Sequence, residues 1–271
     1  MPESRLQNYN KNGYITLRQV VPFQLIRDVV SEVDKAFSNQ LKNHCDELPS
    51  DLSEKIRLLY QKDFDAYLGT AKLCNHLSSL YLLGINSNIT ATLQELGLSF
   101  PTVCARPVIW FHSSAVASTE RYAKLPPHQE WSNMQGSLDG AVVWIPLTQI
   151  TEEMGKLQAI PGSHIGGLLE FSENQKADYP FDIDEEAFEE RDFVELDVEL
   201  GDLLVFSSFL VHRSGHNHTK DIRLTTNFRF NNADEKTFIR RNFLNPYKYE
   251  VAKKLHTVSF PKIDIIKEIF E

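Results

Sequence analysis

His128 and Glu130 stand two residues apart in Leu125-Pro126-Pro127-His128-Gln129-Glu130-Trp131, just ahead of a stretch patterned as strand. On an extended backbone residues i and i+2 share a face, so this imidazole and carboxylate can close on one ion. A third donor is offered by His212 in Leu210-Val211-His212-Arg213-Ser214-Gly215, which follows the apolar run Leu203-Leu204-Val205-Phe206. Two imidazoles and one carboxylate on one side of an ion leave its other positions open, an arrangement that suits Fe(II). Zinc accepts the same donors, so ligand type alone does not choose the metal. His216 and His218 compete with His212 but lie further into a polar loop, and His212, beside the strand, is preferred.

Arg223 tips the balance toward iron. It opens the strand-patterned run Arg223-Leu224-Thr225-Thr226-Asn227-Phe228-Arg229-Phe230. Alternation puts Arg223, Thr225, Asn227 and Arg229 on one face and Leu224, Phe228 and Phe230 on the other. A guanidinium turned into an apolar interior is costly unless it meets an anion, and its planar fork matches a carboxylate. The far carboxylate of 2-oxoglutarate fits that role, with Ser214 adding a hydroxyl. For a substrate, Trp131, Met134 and Gln135 follow the metal motif closely enough to border the open positions. Arg106 and Arg229 are strand residues able to face the cavity. Each of these has a structural alternative, such as Trp131 in the core or Arg229 paired with an acid such as Asp139. His164, after a Pro-Gly turn, is expected to be structural, and His112 to line the mouth or the barrel wall.

These residues need a scaffold, and the pattern supplies one. Asn12-Gly13 reads as a turn before a short strand, Tyr14–Leu17. Pro22 opens a helix with Phe23, Ile26, Val29, Val30, Val33 and Phe37 at three- and four-residue spacing. Residues 51–96 continue as helices expected to cover a sheet. From about residue 100 the texture becomes short apolar runs with Gly/Pro turns: 103–111, 140–147, 156–160, 193–198, 203–206 and 222–230. The acidic residues 172–192 read as a surface loop. The expected class is α+β: a double-stranded β-helix, or jelly roll, flanked by packing helices. We expect a single domain, 1–271, with a mainly helical part to residue 100, a jelly-roll core over 101–232, and a helical tail from 233.

A chain of 271 residues can bury a full core, and its 42% hydrophobic and 24% charged residues are ordinary globular values. A net charge of −9 without a basic block is a poor match for nucleic acid or an anionic membrane. No run approaches the ~18–20 apolar residues that span a bilayer, and the first residues carry no signal-peptide pattern. Cys45, Cys74 and Cys104 lack the Cys-x-x-Cys spacing and point to reduced thiols in the cytoplasm. The expected partner is a small molecule, with the chain a monomer or homodimer.

His128-Gln129-Glu130, Trp144, Ile160-Pro161-Gly162-Ser163-His164, His212-x-Ser214 and Arg223, in this order, resemble the phytanoyl-CoA dioxygenase-like Fe(II)/2-oxoglutarate oxygenases. The opening Asn12-Gly13-Tyr14-Ile15-Thr16-Leu17 before a helix is similar to the start of that family. The resemblance implies His128, Glu130 and His212 as iron ligands and Arg223 and Ser214 as holders of 2-oxoglutarate, with Gln129 and Trp144 as its neighbours. It departs at Glu130, where the family has Asp: the longer arm shifts the carboxylate. The presence of that carboxylate argues against a halogenase, whose relatives give it up to make room for halide. The implied reaction consumes O2 and 2-oxoglutarate, releases succinate and CO2, and oxidises a C–H bond of a small polar metabolite, by hydroxylation in the usual case. A redox-inert metal isomerase on the same barrel and a silent metabolite-binding module are the alternatives.

Overall fold

Ser4 and Gln7 cap each other's backbone N–H groups and start helix α1 (Arg5–Asn12), which Gly13 ends in the left-handed conformation, φ 80°. Strand β1 (Tyr14–Leu17) follows, then α2 (Phe23–Leu41), entered through Pro22. Ile26, Val29, Val33, Phe37 and Leu41 form its buried stripe, while Phe23 stays half in solvent. Helices α3 (Leu52–Lys62), α4 (Phe64–Cys74), α5 (Ser78–Gly84) and α6 (Ser87–Glu95) complete the helical part. Asp51, Asp63 and Asn86 accept first-turn N–H groups of α3, α4 and α6, so three starts carry side-chain caps. This computed structural model describes residues 4–117, 125–169, 183 and 188–244.

Two antiparallel sheets face each other beyond α6. The larger runs in the order β1, β7 (Leu203–Ser207), β4 (Ala141–Pro146), β9 (Arg223–Asn232) and β2 (Pro101–Val103). Strand β3 (Val108–His112) also pairs with β9, so β2 and β3 share that edge, divided at residues 104–107. The single strand expected over 103–111 is therefore two, as Pro107 has no N–H for the ladder. The smaller sheet is β6 (Val194–Leu196), β5 (Leu157–Ala159) and β8 (His212–Ser214). Facing antiparallel sheets with helices against one of them are the expected α+β jelly roll.

Alternation decides what each face meets. Ala141, Val143 and Ile145 of β4, Leu203 and Val205 of β7, and Leu224, Phe228 and Phe230 of β9 join the helices in one core. Val142, Trp144, Leu204 and Phe206 turn the other way and meet Leu157, Ala159 and Leu196 of the small sheet. Both faces of β4 and β7 are covered, which is why their sequences run almost continuously apolar. The helices sit close: a Cβ on Gly84 would run into the Phe228 ring. Among the tail residues, Lys236–Arg240 form a helix, α7 being a single turn at Trp131–Met134 and this one α8. The remainder of the expected tail and most of the acidic loop lie outside the described residues.

Candidate metal centre and its cavity

His128 and His212 meet as a backbone pair before they meet as side chains. Each donates its N–H to the other's carbonyl, at 3.0 and 3.1 Å, so the Leu125–His128 segment lies along the free edge of β8. Their rings stand 4.2 Å apart, centroid to centroid. His212 starts β8 rather than trailing β7, so the segment Ser208–Val211 turns the chain from the large sheet to the small one. Glu130 begins the turn of α7 with helical dihedrals, φ −73° and ψ −22°, which returns its carboxylate to the imidazoles. Donor atoms of His128, Glu130 and His212 all lie within 4.8 Å of one another, and among the described residues this is the one such group.

The surroundings of the three suit a cation. Nδ1 of His128 lies 2.8 Å from the Pro126 carbonyl and Nδ1 of His212 lies 3.0 Å from that of Leu210. A carbonyl can only accept, so each Nδ1 carries the proton and each Nε2 keeps its lone pair for a metal. Burial, and then the neighbouring His128, push the His212 imidazole down to about 3, so it stays neutral. For Glu130, burial works to raise the carboxyl, but the Arg229 guanidinium, followed by His128, outweighs it and brings it to about 2. Arg229 holds that carboxylate as a fork, Nε to Oε2 at 2.8 Å and Nη2 to Oε1 at 3.1 Å.

The three donors border a cavity of about 620 Å³, part of it open to solvent. Arg223, Thr225, Asn227 and Arg229 all line it, as the alternation along β9 predicted, together with Trp144 and Ser214. Arg223 is almost wholly buried, and every hydrogen bond it makes leaves from Nη1, to the carbonyls of Met154, Gly155 and Gly215. Its Nε is buried with no partner. Burial lowers the guanidinium only to about 10, so it is charged at neutral pH. A buried cation with one edge tied to carbonyls and the other unsatisfied is a receptor for an anion. The Ser214 hydroxyl accepts from Leu125 N–H at 2.7 Å, which leaves its own proton to donate. The donor set and this cradle fit Fe(II) with 2-oxoglutarate.

Several expected contacts go elsewhere. Gln129, between two cavity residues, points to the opposite side, where its amide ties the carbonyls of Gly167 and Phe209 and the N–H of Leu169. The turn of α7 carries the chain away from the cavity: Trp131 stacks on Phe209 at 5.4 Å, Met134 enters the intersheet core, and Gln135 is exposed. None of these four lines the cavity. Arg106 is exposed at the break between β2 and β3. Arg229 pairs with Glu130 rather than Asp139, which accepts from Asn232 at 2.7 Å. His164 is structural as expected, its Nε2 3.0 Å from the Asn10 carbonyl and its ring against Gly13. Sequence reasoning passed over Trp110, Phe206 and Leu157 in the cavity wall. The signal for Trp110 lay in alternation with His112, but it needed the register that sets them opposite Thr225 and Arg223.

Fold and centre define a class, the jelly-roll proteins with two histidines and one carboxylate around an open metal position. The model of the family described as phytanoyl-CoA dioxygenase (PhyH) matches residues 9–225. The chain belongs to the phytanoyl-CoA dioxygenase family. Phytanoyl-CoA dioxygenase 1 of Oryza sativa subsp. japonica is 37% identical over 75 residues, 28% of this chain. That stretch is 27% of the rice protein, so the match spans about a quarter of this curated relative. The epimerase SnoN, solved with Fe3+, alpha ketoglutarate and nogalamycin RO, superposes with a TM-score of 0.56 at 17% identity, covering 92% of this chain and 91% of that one. The non-heme monooxygenase ThoJ gives 0.55 at 16% identity over 83% of this chain and 76% of its own. At these identities the solved structures show the shared fold.

Proposed function

We propose that this protein is an Fe(II)- and 2-oxoglutarate-dependent dioxygenase that hydroxylates a C–H bond of a small polar metabolite. The observation that carries the reading is the partnerless edge of Arg223 in the same cavity as His128, Glu130 and His212. A redox-inert metal isomerase would use such a guanidinium to hold its own anionic substrate, and it differs in needing neither O2 nor 2-oxoglutarate. Bound Fe(II) and 2-oxoglutarate would supply the oxidising power, O2 being reduced as 2-oxoglutarate becomes succinate and CO2.

The chain's own residues orient and shield. His128 and His212 would hold the ion through Nε2, their tautomers set by Pro126 and Leu210. Glu130 would be the third ligand. Arg223, through Nε and the adjacent Nη2, would take the distal carboxylate of 2-oxoglutarate, with the Ser214 hydroxyl beside it. Trp144, Leu157 and Phe206 line the cavity and would keep water from its reacting end. Thr225, Asn227 and His112 give the remaining wall hydrogen-bonding groups, which favours a substrate bearing hydroxyl or amide functions over a bare alkyl chain. SnoN is named an epimerase and ThoJ a monooxygenase, so the shared fold does not choose the fate of the C–H bond. The intact carboxylate at Glu130 disfavours halogenation. We place the enzyme in the cytoplasm, as a monomer or homodimer; no helix of the described residues is long and apolar enough to cross a membrane.

The test begins with an anaerobic titration. Fe(II) and 2-oxoglutarate together should give a weak visible charge-transfer band, lost in His212→Ala. Metabolites are then screened for stimulated succinate release, with incorporation of oxygen in the product identifying hydroxylation. Turnover without O2 or 2-oxoglutarate would instead establish a redox-inert isomerase.

A further inference from the structure

Glu130 reaches one methylene further than the aspartate expected at its position, and the structure shows what the extra reach meets. Its carboxylate sits in the fork of Arg229, ninety-nine residues away in the chain, with side-chain exposures of 4% and 7%. The two oxygens are not equivalent. Oε2 accepts the shorter bond, 2.8 Å from Nε, while Oε1 lies 3.1 Å from Nη2 and 4.0 Å from Nε2 of His128. The oxygen that approaches the His128 imidazole is thus the one that Arg229 holds less closely.

We infer that Arg229 is a positioning residue that fixes Glu130 as a one-oxygen ligand, pinning Oε2 and presenting Oε1 to the metal. This rests on the Fe(II)/2-oxoglutarate reading of the site. An iron ion of this kind has six positions. Two imidazoles and the two chelating oxygens of 2-oxoglutarate fill four. A carboxylate bound through one oxygen leaves a single place for dioxygen, whereas one bound through both leaves none. Asp on a short arm has limited freedom to chelate through both oxygens; Glu has more, and here the guanidinium removes it. Arg229 shares the cavity face of β9 with Arg223, so one strand holds the distal carboxylate of the cosubstrate and the carboxylate of the metal site. The two arginines do different work: one binds a ligand, the other shapes one.

The experiment uses the full chain loaded anaerobically with Fe(II) and 2-oxoglutarate, and nitric oxide as a probe of the dioxygen position. Two signals are read: the visible charge-transfer band, which needs only the cosubstrate chelated, and the nitrosyl EPR signal, which needs one further open position. In Arg229→Gln the band should persist while the nitrosyl signal falls at least tenfold at equal nitric oxide. Arg229→Lys keeps the charge without the fork and should show the same split in weaker form, and it carries the test if the glutamine variant does not fold. A residue that merely stabilised the fold would lower both signals together, which would overturn the proposal. So would a wild-type nitrosyl signal in the folded variants. Absence of the band in the unaltered protein would strike the reading of the site itself rather than the role of Arg229.

Discussion

Replacing Arg223 by Gln should weaken 2-oxoglutarate binding by two to four orders of magnitude. In the native cavity Nη1 is engaged by the carbonyls of Met154, Gly155 and Gly215, so the guanidinium is already oriented before any ligand arrives. Nε and its neighbour Nη2 remain for a carboxylate, as two parallel charge-assisted hydrogen bonds. Each such bond contributes about 1.5–3 kcal/mol, hence about 3–6 kcal/mol for the pair. At about 1.4 kcal/mol per decade this is roughly a 100- to 10,000-fold rise in Kd. The lower end is expected, because the cavity is partly open and water replaces part of the loss. Arg223→Lys, which keeps a charge but offers no fork, should lose about one bond, roughly tenfold to a hundredfold. The assay is the anaerobic charge-transfer titration, with circular dichroism to confirm the fold of each variant. A Kd within threefold of the native value in Arg223→Gln, with the band undiminished, would refute the assignment of this arginine to the cosubstrate.

Other perturbations probe the scaffold and the charges. His128→Ala should abolish iron binding and leave circular dichroism normal, since His128 belongs to neither apolar core; global unfolding would make the metal a determinant of the fold. Gly155→Ala should weaken 2-oxoglutarate binding through Arg223, because Gly155 has φ +70° and a Cβ there meets the backbone of Gly215 and His216; unchanged affinity in isothermal titration would count against the cradle. The metal-free protein should lose stability as pH falls below about 6.5. His164 and His212 are held below that value by burial, so the unfolded chain takes up their protons first, and the loss grows until the folded-state values are reached. Urea midpoints between pH 7.5 and about 5.5 should fall, and fall less in His164→Gln; a flat profile would refute this. Gly84→Ala should destabilise by about 1–3 kcal/mol, since its new methyl must displace the Phe228 ring, and chemical denaturation reads that directly.

Local pattern was enough wherever a strand or helix obeys its own period. The run Arg223–Phe230 carries the clearest case: a two-residue repeat alone separated four cavity residues from the phenylalanines that pack on the helices. Ile26, Val29, Val33 and Phe37 announced the buried stripe of α2 in the same way, and the His-x-Glu pair with a distant His named the three donors. Period says which face a residue occupies, but not what stands opposite. That Glu130 meets Arg229, that Gln129 braces backbone carbonyls, and that Trp110 enters the cavity opposite Thr225 depend on registers set by hydrogen bonds between strands remote in the chain. Trp131, Met134 and Gln135 left the site because one helical turn after Glu130 rotates successive side chains by about 100°, where an extended chain would have kept alternate ones inside. Residue types thus determined which chemistry the chain is equipped for. The pairing of the two sheets decided which groups share the cavity, because only burial and cross-strand geometry bring charges so far apart in sequence within bonding distance.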